Sequence, residues 1–409
     1  LLWLLLACSG VFSCTAPQQQ ESAAPEKAAV TFKIDEVMDF AAQQYGKAVV
    51  TLQDSAKMPY SGNADGTWVM CKTSNWMAGF FAGSLWYLYE YHQDPKWKEL
   101  AHEWTRRMEQ EQYMDYHHDI GFMMFSTWGN GYRLTADTSY LPVLRQSART
   151  ALNRYNPVVG TIKSWNKNPG DHPTIIDNMM NLELLVWAAQ TFDDPELYEV
   201  ATRHSDVTIE NHFRDNFSTY HVVLYDSASG DVVKAHTAQG YSDESMWSRG
   251  QAWGIYGYTM MYRYTGDKKY LEQAMKNADI FIERLPEDGV PFWDFDAPDI
   301  PDTYRDASAG AIASAAFLEM STHVEDEATA TRYYNQAVKT LNELSTDRYL
   351  AKTGNYQCLL LHSAYSVPGN HMEDVNKSYA DYYYLGALLR LKRLQEGKPL
   401  FDKGFERQV

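Results

Sequence analysis

Three short segments carry side chains whose types and spacing could do chemistry. In "HHDIGF" (117–122), Asp119 follows His117 and His118 at the lip of an apolar, aromatic run. It is open to three readings: a helix cap, a metal ligand, or a carboxylate placed where a proton must move. Metal ligation has little support, because adjacent side chains diverge and the chain has no HExxH or paired-cysteine spacing. In "TIIDNMMN" (174–181), Asp177 lies between two isoleucines and two methionines, with Asn178 and Asn181 beside it and "SWN" (164–166) upstream. It reads either as a helix N-cap or as a carboxyl whose pKa is raised by desolvation, as a general acid requires. The third segment, "QGYSDESMWSRGQAW" (239–253), places Trp247, Arg249 and Trp253 within two turns, with His236 and Gln239 at or just before its start. A guanidinium there could grip a carboxylate through two parallel hydrogen bonds, or the segment could be core tryptophan with a surface arginine. A Gly-rich phosphate cradle and a GxSxG nucleophile elbow are absent from the sequence.

Such groups need elements to hold them, and the pattern after residue 30 is helical almost throughout. Apolar residues recur at helical spacing in 35–56, 78–94, 138–154, 177–191, 247–264, 306–321 and 379–396, with weaker segments between them. About twelve helices, or six hairpins, result. A joint recurs in "QDPKWKELA" (from Asp94), "DDPELYEVA" (from Asp194) and "GDKKYLEQA" (from Asp267), and more loosely in "ADTSYLPVL" (from Asp137). In each, Asp caps the next helix and Pro or Lys follows in the first turn. The joints are unevenly spaced, which argues against a solenoid and for hairpins in a ring, with variable loops at one end carrying function. One β-hairpin is expected in "YHVVLYDSASGDVVKAH" (220–236), turned by Ser-Gly-Asp.

The chain of 409 residues has 12 Trp and 29 Tyr, enough flat amphipathic surface for both a large core and a sugar-binding pocket. A formal charge of −17 argues against nucleic acid, whose affinity comes from neutralised phosphates. The N-terminal "LLWLLLACSGVFSCTAPQQQ" reads as the remnant of an export signal, with Cys14 as the expected lipid-attachment site of a periplasmic or outer-membrane-anchored bacterial lipoprotein. Residues 1–30 are therefore read as signal remnant and polar tether, 31–396 as one catalytic domain, and 397–409 as a tail. Cys71 and Cys358 remain, either paired or free and buried.

Taken together, "HHDIGF", "SWN", "IIDNMMN", "QGYSDESMWSRGQAW" and "FWDFDAP…DASAGAIAS" resemble glycoside hydrolase family 88, the unsaturated glucuronyl hydrolases, over about residues 35–395. The resemblance implies an all-α (α/α)6 barrel, matching the six hairpins counted above. It implies Asp177 as general acid and base and Asp119, after His118, as the second essential carboxylate. Trp165, His221, Gln239, Trp247, Arg249 and Trp253 match residues binding the unsaturated uronate, and Tyr365 in "HSAYSVPGN" matches a lid segment. The implied substrate is an oligosaccharide left by a polysaccharide lyase, with a C4=C5 double bond in its terminal uronic acid, and no metal or organic cofactor is implied. Two alternatives stand beside it: a rhamnogalacturonyl hydrolase with the same chemistry on pectin fragments, and a glycan-binding lipoprotein without catalysis. Some family members hold a sulfate with Ser-x-x-Ser-x-Lys. Here Ser363 and Ser366 are present but Pro368 stands in the lysine's place, so little preference for 6-sulfated sugars is expected, with Lys377 the only nearby residue able to compensate.

Overall fold

The computed structural model describes residues 26–407; Cys8, Cys14 and the polar tether before residue 26 lie outside them. The inner ring consists of α2 (Gly79–His92), then α4 (Ile120–Met124) and α5 (Asn130–Thr135) joined by the π-turn Phe125–Gly129, then α7 (Asn178–Phe192), α9 (Ser248–Thr265), α11 (Ala307–His323) and α13 (Ser378–Gln395). Each packs on the next, and α13 closes the ring against α2. The outer layer consists of α1 (Ile34–Thr51), α3 (Pro95–Arg106), α6 (Leu141–Leu152), α8 (Pro195–His212), α10 (Lys268–Arg284) and α12 (Glu327–Leu344). Counting α4 to α5 as one run, twelve helices make an (α/α)6 barrel, as the hairpin count predicts.

Sequence explains which layer a helix joins. Outer helices bury one stripe: α3 buries Trp97, Ala101, Trp104 and Thr105, at helical spacing. Inner helices are buried on nearly every face, so α11 reads "ASAGAIASAAFLEM" with no polar side to turn outward. Among the described residues no helix is long and apolar enough to cross a membrane.

The recurring joint sits where an inner helix turns into an outer one. Asp94, Asp137 and Asp267 accept from the backbone N–H of Lys96, Ser139 and Lys269, as caps should. Asp326 caps α12 in the same way, accepting from Thr329 N–H. Asp194 departs from the expectation: it makes no cap bond, and its carboxylate pairs instead with Arg149 on α6.

The expected β-hairpin is present as β6 (Val222–Asp226) and β7 (Val232–His236), with Gly230 at φ +80° in its turn. A third strand, β5 (Asp171–Ile175), pairs with β6 and is not visible in the sequence pattern. Its "DHPTI" lacks alternation because four of its five residues are buried. A two-stranded ribbon of β1 (Met58–Gly62) and β2 (Trp68–Cys71) precedes α2, and a short antiparallel pair, β3 (Tyr155–Asn156) and β4 (Thr161–Ile162), precedes β5. Cys71 and Cys358 are both free and buried.

The two ends of the barrel differ. The joint end is closed by a partly buried network in which Arg133 and Arg393 pair with Glu90 and Asp402, and the fully buried Arg263 with Glu183 and Glu319. The residues past 396, expected to be a tail, fold back over this network through residue 407. Phe405 stacks on Trp187 at 5.9 Å, the Arg263 guanidinium lies 3.8 Å from the Phe401 ring centre, and Arg407 N–H donates to the Arg263 carbonyl. The other end carries the long loops, and there every inner helix presents its N-terminus.

Candidate active site

At the loop end lies an open-mouthed cavity of about 320 Å³ lined by Trp76, His118, Asp119, Trp165, Lys167, Ile175, Asp177, His221, Ala238, Gln239 and Tyr365. Asp119 and Asp177 precede α4 and α7 in the cap position, yet neither side chain makes a cap hydrogen bond. Both carboxyls turn into the cavity instead, with side chains 14% and 13% exposed. The close approach of α4 and α7 brings them together. Asn181 Oδ1 accepts from Phe122 N–H (2.8 Å), and a Cβ on Gly121 would lie 2.5 Å from Asn181 Cα, so only glycine fits that crossing.

Short strand pairings deliver the rest. His117 pairs with Trp165 as a bridge, and His118 N–H donates to the Ser164 carbonyl, placing "SWN" beside "HHD". Ile175 pairs with Val222, and Ile176 N–H donates to the His221 carbonyl, placing His221 beside Asp177. His221 Nδ1 accepts from the N–H groups of Ala238 and Gln239 at 3.1 and 3.2 Å, which leaves the proton on Nε2, 3.6 Å from Asp177 Oδ2. Burial, with Arg249 nearby, pushes the His221 pKa well down, so the ring is neutral. Its face packs on Trp247 at 4.3 Å.

The two carboxyls have opposite environments. Burial raises Asp177 to about 7; Arg249 works against the rise and Asp119 adds to it. Its Oδ2 is buried without a hydrogen-bond partner. Burial also works to raise Asp119, but His118 and His117 outweigh it and hold the carboxyl below its ordinary value. His117 Nδ1 lies 3.1 Å from Asp119 Oδ2 and its Nε2 donates to the Ser74 carbonyl, while His118 Nε2 lies 3.3 Å from Oδ1. Burial opposes the His117 proton, but Asp119 and the Ser74 carbonyl raise its pKa; burial lowers that of His118. One carboxyl is therefore held protonated near neutrality and its neighbour ionised, the division of labour an acid–base pair needs.

Of the residues singled out in the sequence, Asp119, Asp177, His118, Trp165, His221, Gln239 and Tyr365 line the cavity. Trp247, Arg249 and Trp253 are buried behind its wall. Arg249 is not free to grip a ligand in this arrangement: it donates to Asp306 Oδ2 (2.6 Å), to the Ala364 carbonyl and to the Tyr365 carbonyl (2.9 Å). It braces the segment that carries Tyr365, as does Gln239 Nε2, 2.8 Å from the same Tyr365 carbonyl. Four lining residues, Trp76, Lys167, Ile175 and Ala238, are not singled out by the sequence as site residues. Trp76 stacks on Tyr379 at 5.1 Å, and its one signal is a tryptophan just before an inner helix; Lys167 lies over the Trp165 ring at the exposed rim. Among the described residues no cluster of His, Cys, Asp and Glu is arranged to hold a metal ion.

The family model of Glycosyl Hydrolase Family 88 matches residues 50–390. The chain belongs to this family. It is a glycoside hydrolase, and the expectation drawn from the five motifs holds. The chain is 42% identical over 328 residues to an unsaturated glucuronyl hydrolase from Formosa agariphila, covering 79% of this chain and 81% of that protein. It superposes on a crystal structure of an unsaturated glucuronyl hydrolase specific for heparin with TM-score 0.84 and 40% identity, covering 89% of this chain and 99% of the other. A mutant of the Streptococcus agalactiae unsaturated glucuronyl hydrolase complexed with dGlcA-GalNAc6S matches with TM-score 0.74 and 29% identity, over 88% and 91% of the two chains.

Proposed function

We propose that this protein removes the 4,5-unsaturated uronic acid from the non-reducing end of glycosaminoglycan-type oligosaccharides produced by a lyase. The observation that carries the reading is the pairing of Asp177, raised to about 7, with the ionised Asp119 in one aromatic-walled cavity. The scissile unit is a vinyl ether. Asp177 gives its proton to C4, and positive charge develops at C5 and the ring oxygen, where the Asp119 carboxylate opposes it. Water adds to C5 and returns a proton to Asp177. The C5 hemiketal then opens, and the hemiacetal left at C1 expels the neighbouring sugar. One carboxyl thus serves twice, unlike the paired carboxyls of ordinary glycosidases.

The wall suits such a substrate. Trp165 and Trp76 put aromatic surface into the wall, which suits packing against a sugar ring. The cavity lies at the end of the barrel where the inner helices present their N-termini, whose dipoles favour a uronate carboxylate despite the chain's overall charge of −17. The test is a panel of lyase digests followed by loss of the ultraviolet absorbance of the conjugated alkene, in water labelled with heavy oxygen. Chondroitin-, hyaluronan- and heparin-derived disaccharides should react, with label entering at C5, and saturated glucuronides should not. Cleavage of saturated glucuronides at a comparable rate would sink the proposal. Reaction of pectin fragments alone would favour the rhamnogalacturonyl reading. Lipid attachment at Cys14 belongs to the same proposal; absence of fatty-acid label on Cys14 in the expressing cell would remove it.

A further inference from the structure

Lys377 occupies a place where a lysine costs stability. It is fully buried and sits in the N-cap position of α13, where the positive end of the helix disfavours a cation. Its Nζ donates to Met372 Sδ (2.8 Å), a weak acceptor, and lies 4.8 Å from the Tyr60 ring centre and 4.6 Å from that of Tyr365. The charged or titratable groups facing it are Tyr60 on β1, the Cys71 thiol on β2, Arg249 on α9, Asp306 capping α11, and Tyr365. Asp306 is already engaged by Arg249 and Ser308, so among the described residues no carboxylate pairs with this ammonium. Burial pushes its pKa down to about 7, with Arg249 adding to the effect.

The cage stands behind a strained part of the wall. Residues 362–375 form a small lobe closed by bridges Ser363–Val375 and Ser366–His371. Three of its residues other than glycine, His362, Asn370 and Met372, are left-handed at φ 63°, 46° and 53°. Tyr365 is gripped on its carbonyl by Gln239 and Arg249, and on its ring face by Lys377. Its ring lines the catalytic cavity and also an adjoining hollow shared with Tyr60, Cys71 and His371.

We infer that Lys377 is a positioning residue of the active site: its caged ammonium holds Tyr365 and the 362–375 lobe where they shape the cavity wall. The inference rests on the reading of that cavity as the uronate site. A cation over an aromatic face is attracted by the ring quadrupole, and the attraction is greatest when both are out of water. The cost follows by linkage. The folded amine titrates near 7 and the unfolded one near 10.5, so the unfolded chain binds more protons between those values, and this group's contribution to stability rises with pH across that window. Below about 7 the charged, caged form carries its full cost and its full grip.

The test compares Asp177→Asn with Asp177→Asn/Lys377→Met, which removes the titration of the acid from both. Calorimetric binding of unsaturated chondroitin disaccharide is measured from pH 6 to 8.5, with hydrogen exchange of residues 362–375 and melting temperature followed without ligand. With Lys377 present, affinity should fall about tenfold as pH rises through 7, about 1.4 kcal/mol. With Met it should be weak and keep only the shallower pH dependence that His117, common to both proteins, imposes. The Met variant should melt at the same temperature or higher at pH 6, yet exchange faster in the lobe. Equal affinity and equal exchange in both proteins would overturn the inference, as would a lower melting temperature with both unchanged. If the Lys377 protein binds no disaccharide at any pH, the substrate reading fails, and the exchange comparison still decides whether Lys377 holds the lobe.

Discussion

Gly121→Ala tests whether the α4–α7 crossing sets the spacing of the two carboxyls. The added Cβ would sit 2.5 Å from Asn181 Cα, 2.6 Å from its carbonyl oxygen and 2.9 Å from its carbonyl carbon, all backbone atoms that no rotamer change can move aside. Carbon atoms in contact settle about 3.5–4.0 Å apart, so the helices must part by about 1 Å at this point. Overpacking of this kind costs about 1–3 kcal/mol, which the large core should survive with a lowered melting temperature. The catalytic effect should be larger, because Asp119 precedes one helix and Asp177 the other. A displacement of about 1 Å at reacting groups costs on the order of 10²-fold, so kcat/KM should fall by about that factor. The assay is the loss of alkene absorbance on an unsaturated disaccharide, with circular dichroism melting of the same sample. Gly310→Ala on α11 is the control: its new Cβ meets Thr340, Pro291 and Leu344 side-chain atoms at 3.2, 3.4 and 3.8 Å, so a small side-chain adjustment away from the carboxyls accommodates it and activity should be kept, whatever the modest change in melting temperature. Wild-type kcat/KM in Gly121→Ala would refute the claim that this contact fixes the carboxyl pair.

Asp177→Asn should lose about 10²–10⁴-fold in kcat with little change in melting temperature, since the acid it replaces is already largely uncharged below about 7. In the native enzyme kcat should fall as pH rises above about 7. Because the folded pKa of Asp177 is raised from 3.8, its contribution to stability should decline between about pH 4 and 7, a decline absent from the Asn variant. For Arg249→Lys, an ammonium cannot serve Asp306 and two carbonyls in the planar arrangement they occupy, so both melting temperature and kcat/KM should drop; a loss of about 1–3 kcal/mol is expected, and unchanged melting would return Arg249 to a purely ligand-binding role. Preference for 6-sulfated over unsulfated unsaturated chondroitin disaccharide should be less than about tenfold in kcat/KM, or 1.4 kcal/mol. Ser363 and Lys377 are wholly buried and Pro368 has no charge to offer; a larger preference would require another cation, and Lys167 at the rim is the first to mutate.

What can be read from the chain follows from how local each signal is. Helical periodicity and the Asp-led joints depend on residues within two turns of one another, so twelve helices and a run of turns at one end are legible in the residue pattern alone. The joint at Asp194 is the exception, because its carboxylate has a distant partner, Arg149, which no local pattern reveals. The strand β5 is hidden for a related reason: burial on both faces erases the alternation by which a strand announces itself.

For the site, residue types alone mark Asp119 and Asp177 as candidates but leave a cap and an acid equally open, since both uses want aspartate before a helix. Tertiary structure separates them. The carboxyls make no cap bonds; Asp177 is raised by burial and by Asp119, against the pull of Arg249, all of them set by packing between segments distant in sequence, while Asp119 is held ionised by the adjacent His118 and His117 only because the fold turns both rings onto it. The same holds for Arg249. Its sequence context fits a carboxylate clamp, but whether a guanidinium faces a ligand or a protein carbonyl depends on which loop packs against it, and here residues 364 and 365 do. Sequence by itself determined the helices, their pairing and the family, because those rest on short-range periodicity and on motifs kept in order. Only the folded chain decided protonation, orientation and which side chains meet, because electric fields and contacts act through space and take no account of distance along the chain.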